Sequence, residues 1–420
     1  MTTVVEPVHI KEQARLAQIA SKELGLLSTE DKNAALHTIA DHLDANVSNI
    51  MEGNNQDLAN GRKALYDEAY MDRLALNEAR IKEFAEGLRQ VAKLDDPTGE
   101  IVSQWTLDNG LDVQTVRVPL GVIGMIYEAR PNVTADATGL ALKSGNAIVL
   151  KGGSSAIHSN RAIVKVMKEA LISTKISQDA VQFIDSTDRV ATEQLFTMKE
   201  HIDVLIPRGG GKLIQAVVNH ATVPVLETGV GNCHIYIDKG ADVDKAINIF
   251  INAKTDRPAV CNAAETLIVH EAFLAAHQET LIEAFNKYNI GVYGDDKVLS
   301  AVPNATRATE QHWAEEFLSL DVAMKVVSTV DEAIAHIDEY GTKHSEAIVT
   351  EDKETAKRFK GLVDAAAIYH NASTRFTDGS ALGFGAEIGI STQKLHARGP
   401  MGLQALTTIK YVMSGNGQIR

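Results

Sequence analysis

The residues of this chain best suited to chemistry lie in one stretch, Asn252 to Glu265, which reads NAKTDRPAVCNAAE. An apolar run with helical spacing (Ala246, Ile249, Phe250, Ala253) ends there, and a proline-containing turn follows. Cys261 stands where the chain leaves that turn, between the small residues Ala259, Ala263 and Ala264, so a flat electrophile can reach its sulfur. A thiolate is the strongest nucleophile a side chain offers near neutral pH, and Cys261 is a candidate for covalent catalysis. The competing reading is a lone cysteine acting as a small hydrophobe. The other cysteine, Cys233, enters an apolar strand and reads as buried and inert.

Two glycine-rich turns follow strand-like runs: Lys151-Gly152-Gly153-Ser154-Ser155, and Arg208-Gly209-Gly210-Gly211 with Lys212 opening a helix. Backbone N–H groups at a helix start, with a basic residue beside them, suit a phosphate. Neither turn is a GxGxxG fingerprint, and each alone also fits an ordinary tight turn; two on one sheet point to a dinucleotide. Asn132, just after Arg130-Pro131, carries a carboxamide able to donate to an oxyanion, or to cap the helix beginning at Val133.

The elements that must position these groups belong to a soluble globular chain. It has 420 residues, 45% hydrophobic and 23% charged, enough for two or three domains. A net charge of −14 argues against general nucleic-acid binding while allowing a local basic pocket. The opening MTTVVEPVHIKEQARL carries Glu6 and Glu12 without a long apolar run and does not read as a leader; no stretch is apolar enough for a membrane helix. Two cysteines make no disulfide framework, which suits a reducing, cytoplasmic compartment.

Residues 8–95 read as mostly helical, with Ser28-Thr-Glu-Asp31 as an acidic N-cap and a strong helix over about 77–94. Ile101–Leu107 and Leu111–Val116 alternate about Asp108-Asn109-Gly110, a hairpin whose expected partner is the strand Thr407–Met413. The hairpin reads as an oligomerisation arm. From Gly121 short apolar strands alternate with helices: 122–127, 147–150, 181–184, 204–206, 223–226 and 234–237. A second series follows the cysteine, with strands at 266–269, 324–327, 347–349 and 365–370. The pattern predicts two doubly wound parallel α/β domains with Cys261 near their join.

Together these residues resemble the γ-glutamyl phosphate reductase family, a branch of the aldehyde dehydrogenase superfamily, over nearly the whole chain. Val327 to Ile348, VSTVDEAIAHIDEYGTKHSEAI, fits that family's signature; RVPLGVIGMIYEARPNVT, ETGVGNCHIYID, RPAVCNAAE and KLHARGPMG are similar to its other blocks. The resemblance implies an aldehyde dehydrogenase-like α/β fold with three parts. These are an NADP-binding domain (1–99 and 119–252), a catalytic domain with the nucleophilic cysteine (253–390), and an oligomerisation hairpin with C-terminal strand (100–118 and 404–420). It implies NADPH-dependent reduction of L-glutamyl 5-phosphate to L-glutamate 5-semialdehyde, the second step of proline biosynthesis. Cys261 is then the nucleophile and Asn132 an oxyanion donor, with the two glycine loops and Glu227 near the cofactor. Arg130, Lys343, His344, Ser345, Glu346 and Arg398 become candidates for substrate contact, and no metal is expected. A homo-oligomer, dimer or tetramer, and a transient contact with the glutamate 5-kinase that makes the acyl phosphate are also implied. Glu227 aligns with the superfamily glutamate that activates water, which keeps a hydrolytic NAD(P)-dependent aldehyde dehydrogenase as the alternative. A non-catalytic scaffold of the same fold would need neither the thiol nor the loops.

Overall fold

The computed structural model describes residues 7–420; residues 1–6, on which part of the leader reading rests, lie outside them. The chain divides into two compact units. The first comprises the described residues up to Thr228 with Gly383–Gly389 and Met401–Arg420; the second comprises Gly229–Leu382 with Ile390–Pro400.

In the first unit five helices come before any strand: α1 (Pro7–Leu24), α2 (Thr29–Ala45), α3 (Val47–Lys63), α4 (Glu68–Leu74) and α5 (Glu78–Lys93). Ser28 caps α2 by accepting from the Asp31 N–H, as its position predicts. The hairpin β1 (Ile101–Thr106) and β2 (Asp112–Pro119) then turns at Gly110, whose φ of +81° suits a residue without Cβ. Next come β3 (Val122–Tyr127), α6 (Asn132–Lys143), β4 (Ala147–Gly152), α7 (Ile157–Leu171), β5 (Val181–Phe183), α8 (Arg189–Phe196), β6 (Val204–Arg208) and α9 (Gly211–His220). The four strands form a parallel sheet in the order β5-β4-β3-β6. The chain departs from β3 to β4 on one side and returns to β6 on the other. Beyond the carboxyl ends of β3 and β6 is therefore where an open α/β sheet takes a ligand. The run 223–226 is not a strand of this sheet: only Val225 bridges Leu205, since Pro224 lacks the N–H a ladder needs.

The second unit holds β7 (Cys233–Ile237), α10 (Val243–Thr255), β8 (Ala264–His270), α11 (Glu271–Lys287), β9 (Gly291–Gly294), α12 (Asp296–Ala301), β10 (Thr306–Arg307), α13 (Glu310–Ala314), β11 (Asp321–Val327), α14 (Val330–Tyr340), β12 (Ser345–Val349), α15 (Lys353–Leu362) and β13 (Ala367–His370). Its sheet is parallel throughout, in the order β10-β9-β11-β8-β7-β12-β13. Alternation sorts the two faces. Ile235, Leu267 and Val349 pack with Phe250, Phe273 and Phe285 of α10 and α11. Tyr236, Ile268 and Ile348 pack with Ile334, Ile337 and Phe359 of α14 and α15. The boundary expected at residue 252 moves to 229, because β7 pairs with β8 and β12 and carries α10 with it. The short β9 and β10 are not apparent in the sequence pattern. A two-stranded ladder, β14 (Ile390–Ser391) with β15 (Gly399–Pro400), closes this unit.

The chain ends in the first unit with β16 (Thr407–Ser414), which pairs with β2 from Thr407 opposite Pro119 to Ser414 opposite Asp112. The three-stranded sheet β1-β2-β16 expected from the hairpin is therefore present. It keeps Ile101, Trp105, Tyr411 and Met413 in solvent, with the Trp105 and Tyr411 rings edge to face at 6.4 Å.

Candidate active site

Cys261 lies half-buried in the loop between α10 and β8, at the amino end of the second unit's sheet. The loop backbone is fixed from several sides. A Cβ built on Gly231 would lie 1.5 Å from the Cys261 carbonyl oxygen, so only glycine lets the two backbones meet. The buried Cys233 thiol donates to that same carbonyl oxygen at 3.2 Å. Burial, with Glu346 nearby, pushes the Cys233 thiol well above its usual range, so it stays a donor. On the far side Asn262 donates to the Thr377 carbonyl at 2.9 Å, and Arg375 holds the Asn262 side-chain oxygen and Asp256.

The loop's two ends are tied by an ion pair with no solvent exposure: Lys254 Nζ of α10 donates to Glu265 Oε2 of β8 at 2.7 Å. Burial lifts the Glu265 carboxyl to about 7 despite Lys254 beside it. The Phe317 and Leu318 N–H groups complete its hydrogen bonding. None of these partners (Gly231, Arg375, Lys254, Glu265) is given a role in the sequence reading of the site, because each acts through a fold-level contact.

Three signature residues expected at the substrate are fully buried instead. Glu346 Oε2 accepts from both the backbone N–H and Nδ1 of His234, at 2.8 and 3.0 Å. Ser345 Oγ lies 2.6 Å from Thr377 Oγ1 and 2.8 Å from His344 Nδ1, and His344 Nδ1 is 3.6 Å from Cys233 Sγ. His344, Ser345 and Glu346 are thus the layer beneath the cysteine loop. A strand buried on both faces puts every one of its side chains inside. Lys343 and Arg398 do come together: both reach Asp364, at 3.6 and 2.7 Å, joined by Lys394 at 2.8 Å. Among the described residues no group of His, Cys, Asp and Glu is arranged to hold a metal ion.

In the first unit, Asn132 is the first residue of α6 rather than its cap, which is Pro131. Its side-chain amide donates to Asp136 Oδ2 at 3.0 Å, one turn along. Burial lifts the Asp136 carboxyl to about 6, against the pull of that bond. Arg130 is half-buried in the β3–α6 loop, after Ala129 at a left-handed φ of +32°. Lys151, at the end of β4, is 5% exposed and donates to the Gly152 carbonyl at 3.0 Å; burial lowers its pKa. A Cβ on Gly153 would touch the Glu128 backbone at 3.5 Å, Ser154 is exposed, and Ser155 Oγ pairs with the Tyr70 hydroxyl at 3.1 Å. This loop fits a phosphorylated ribose: a cation and an exposed hydroxyl, with no carboxylate at the third position.

The second loop fits less simply. The Gly210 N–H at the start of α9 donates to Glu128 Oε2 at 2.9 Å, and a Cβ on Gly209 would lie 2.5 Å from that oxygen. The phosphate cradle expected over Arg208 to Gly211 thus holds the chain's own carboxylate. Glu227 lies half-buried beside the carboxyl end of β6, next to Thr228, whose hydroxyl donates to the Pro207 carbonyl at 2.7 Å.

Residues 4–314 match the Aldehyde dehydrogenase family. Gamma-glutamyl phosphate reductase 2 of Bacillus licheniformis is 66% identical over 100% of both chains. The crystal structure of gamma-glutamyl phosphate reductase from Thermotoga maritima superposes with a TM-score of 0.96 at 49% identity, covering 98% of this chain and 99% of that one. An engineered glycolyl-CoA reductase with bound NADP+ shares the fold, with a TM-score of 0.69 at 17% identity and 96% of each chain covered.

The glycine contact generates a prediction. Gly231→Ala must displace the Cys261 carbonyl, and kcat should fall by about 100-fold or more while far-UV circular dichroism is kept. Steady-state kinetics beside the spectrum check it, and near-normal turnover would show that the contact does not set the geometry of the thiol.

Proposed function

The chain belongs to the aldehyde dehydrogenase family and, within it, to the γ-glutamyl phosphate reductases; from that premise we propose that it reduces L-glutamyl 5-phosphate to L-glutamate 5-semialdehyde through a thioester on Cys261. The reaction is the second step of proline biosynthesis from glutamate. The observation that carries the thioester is the half-exposed Cys261 on a backbone that Gly231, Cys233 and Asn262 hold in place.

The Cys261 thiolate attacks the γ-carbonyl, the carbon–oxygen bond to phosphate breaks, and inorganic phosphate leaves with that electron pair. Bound NADPH supplies the hydride that takes the thioester to the aldehyde level. The carbonyl oxygen then carries a full charge. The backbone N–H of Cys261 and, by the motif it shares with the family, the Asn132 amide donate to it, a class of contact worth about 3–4 kcal/mol. Asp136 holds the Asn132 amide in one orientation. Collapse of the tetrahedral alkoxide expels the thiolate and releases the semialdehyde. Lys151 and Ser154 would hold the phosphorylated ribose of NADP(H); Glu128 must turn aside for a phosphate to use Gly210.

The exposed apolar side chains of the β1-β2-β16 sheet support a homo-oligomer, dimer or tetramer, built through that arm. A hydrolytically labile substrate supports a brief contact with the glutamate 5-kinase that forms it. The small-molecule chemistry and the two thiols outside any disulfide support a cytoplasmic enzyme. No described helix is long and apolar enough to cross a membrane.

Cys261→Ala should abolish turnover with NADPH affinity and thermal stability retained. Turnover near the wild-type rate would end the covalent reading.

In reverse, oxidation of the semialdehyde should require inorganic phosphate and yield γ-glutamyl phosphate, which hydroxylamine traps as the hydroxamate. Steady oxidation to glutamate without phosphate would favour the hydrolytic alternative.

The cofactor preference should be for NADP(H), because Ser154 stands where NAD-preferring relatives carry an acid. The ratio of kcat/KM for the two cofactors tests this, and Ser154→Glu should shift it towards NADH. A clear NADH advantage in the unaltered protein would reject the assignment.

A further inference from the structure

Four side chains from three loops converge at the amino end of the second unit's sheet. Asp364, between α15 and β13, accepts from Arg398 at 2.7 Å on Oδ1 and pairs on Oδ2 with Lys394 at 2.8 Å and, as a longer ion pair, with Lys343 at 3.6 Å. One carboxylate facing three cations leaves about two positive charges without an anionic partner in the cluster, although the chain as a whole is acidic. Lys394 and Arg398 hold Asp364 well below the usual carboxylate range, so it is ionised at neutral pH. The backbone here is constrained as well. Lys343 and His396 adopt left-handed φ values of +62° and +68°, and the Lys343 carbonyl is fixed by the Ala366 N–H at 2.8 Å.

This cluster is linked to the nucleophile. Lys343 precedes His344, whose ring lies 3.6 Å from Cys233 Sγ, and Cys233 in turn donates to the Cys261 carbonyl. Lys343 leads into β12 and Cys261 into β8, with β7 between them. By strand spacing the Lys343 backbone lies roughly 10 Å from that of Cys261 along the sheet edge, and Asp364, which leads into β13 one strand farther, roughly 14 Å. A glutamyl chain together with a lysine or arginine side chain spans such a gap.

The reaction assigned above presents an acyl phosphate at one end and an α-amino acid at the other. We propose that Asp364 with Arg398 and Lys394 is the subsite for that amino-acid end. The α-ammonium replaces one cation on Asp364, and the α-carboxylate takes Arg398 and Lys394. Asp364 thereby makes the enzyme specific for an amino-acid aldehyde over the same aldehyde lacking nitrogen. A site built to pair a substrate N–H rejects an analogue without it, because its own charge is then left unpaired. The proposal rests on the assigned reaction and deepens it, since Asp364 and Lys394 have no place in the chemical steps.

The test compares L-glutamate 5-semialdehyde with 5-oxopentanoate, its deaminated analogue, in phosphate-dependent oxidation with NADP+. The unaltered enzyme should prefer the amino substrate by about 100-fold in kcat/KM. Asp364→Asn should cut that preference to about 5-fold or less, through a raised KM for the semialdehyde. Arg398→Gln should raise KM for both substrates by similar factors, since both carry the carboxylate. Asp364→Glu should restore part of the preference, which a merely structural role would not do. Alkylation of Cys261 at the unaltered rate shows that each variant keeps its site. Should Asp364→Asn lose it, the preference ratio in Asp364→Glu, expected to fall between about 5-fold and 100-fold, decides in its place. Wild-type preference in Asp364→Asn, or equal losses on both substrates, would overturn the subsite. Phosphate-independent turnover by the unaltered enzyme would strike at the reaction itself, and the preference ratio is read separately from it.

Discussion

The contact on which the second unit's chemistry depends is that of two backbones. Gly231 meets the Cys261 carbonyl at a distance no side chain permits, and the Cys233 thiol closes on the same oxygen. A loop of eight residues between a helix and a strand is ordinarily mobile, and a nucleophile on it would wander by more than the reaction tolerates. Here the loop is held at its ends by Lys254 and Glu265, beneath by Cys233, and outside by Arg375 on Asn262. The family signature contributes to this from below, through Glu346 on His234 and Ser345 on Thr377.

A parallel sheet buried on both faces accounts for that layering. Strands such as β7 and β12 show no side chain to solvent, so polar residues on them must find partners inside or destabilise the fold. Glu346 and His234 pair across adjacent strands through Oε2 and Nδ1, and burial pushes the glutamate's pKa upward. The polar residues of these strands form a support. The exposed charges lie in the loops before the strands, where Lys343, Asp364, Lys394 and Arg398 gather.

The first unit follows a different rule. Its candidate cofactor groups lie at the carboxyl ends of β3, β4 and β6, where the strand order reverses and helix N-termini point outward. One of these, at α9, is already neutralised by Glu128, so the two glycine loops that look alike in sequence are not equivalent in charge. The loop after β4 offers a buried cation and an exposed hydroxyl.

The sequence by itself determined the class of fold, the strand and helix alternation, and the hairpin with its C-terminal partner, and it offered Cys261 as the candidate nucleophile. Those follow from local periodicity, a turn that demands glycine, and a thiol among small neighbours, all readable within a few residues. It misplaced the domain boundary, because β7 looks like a sixth strand of the first series and only its pairing with β8 and β12 assigns it to the second. It also set His344, Ser345 and Glu346 at the substrate. That placement rested on the family resemblance, whereas two-sided burial of β12 turns them inward. Asp364 carried no signal, and Lys394 only its place at the head of the KLHARGPMG block, both being common residues in ordinary loops. Only the ordering of β13 beside β12, and of the β14–β15 loop over both, could bring one carboxylate and three cations from distant parts of the chain together.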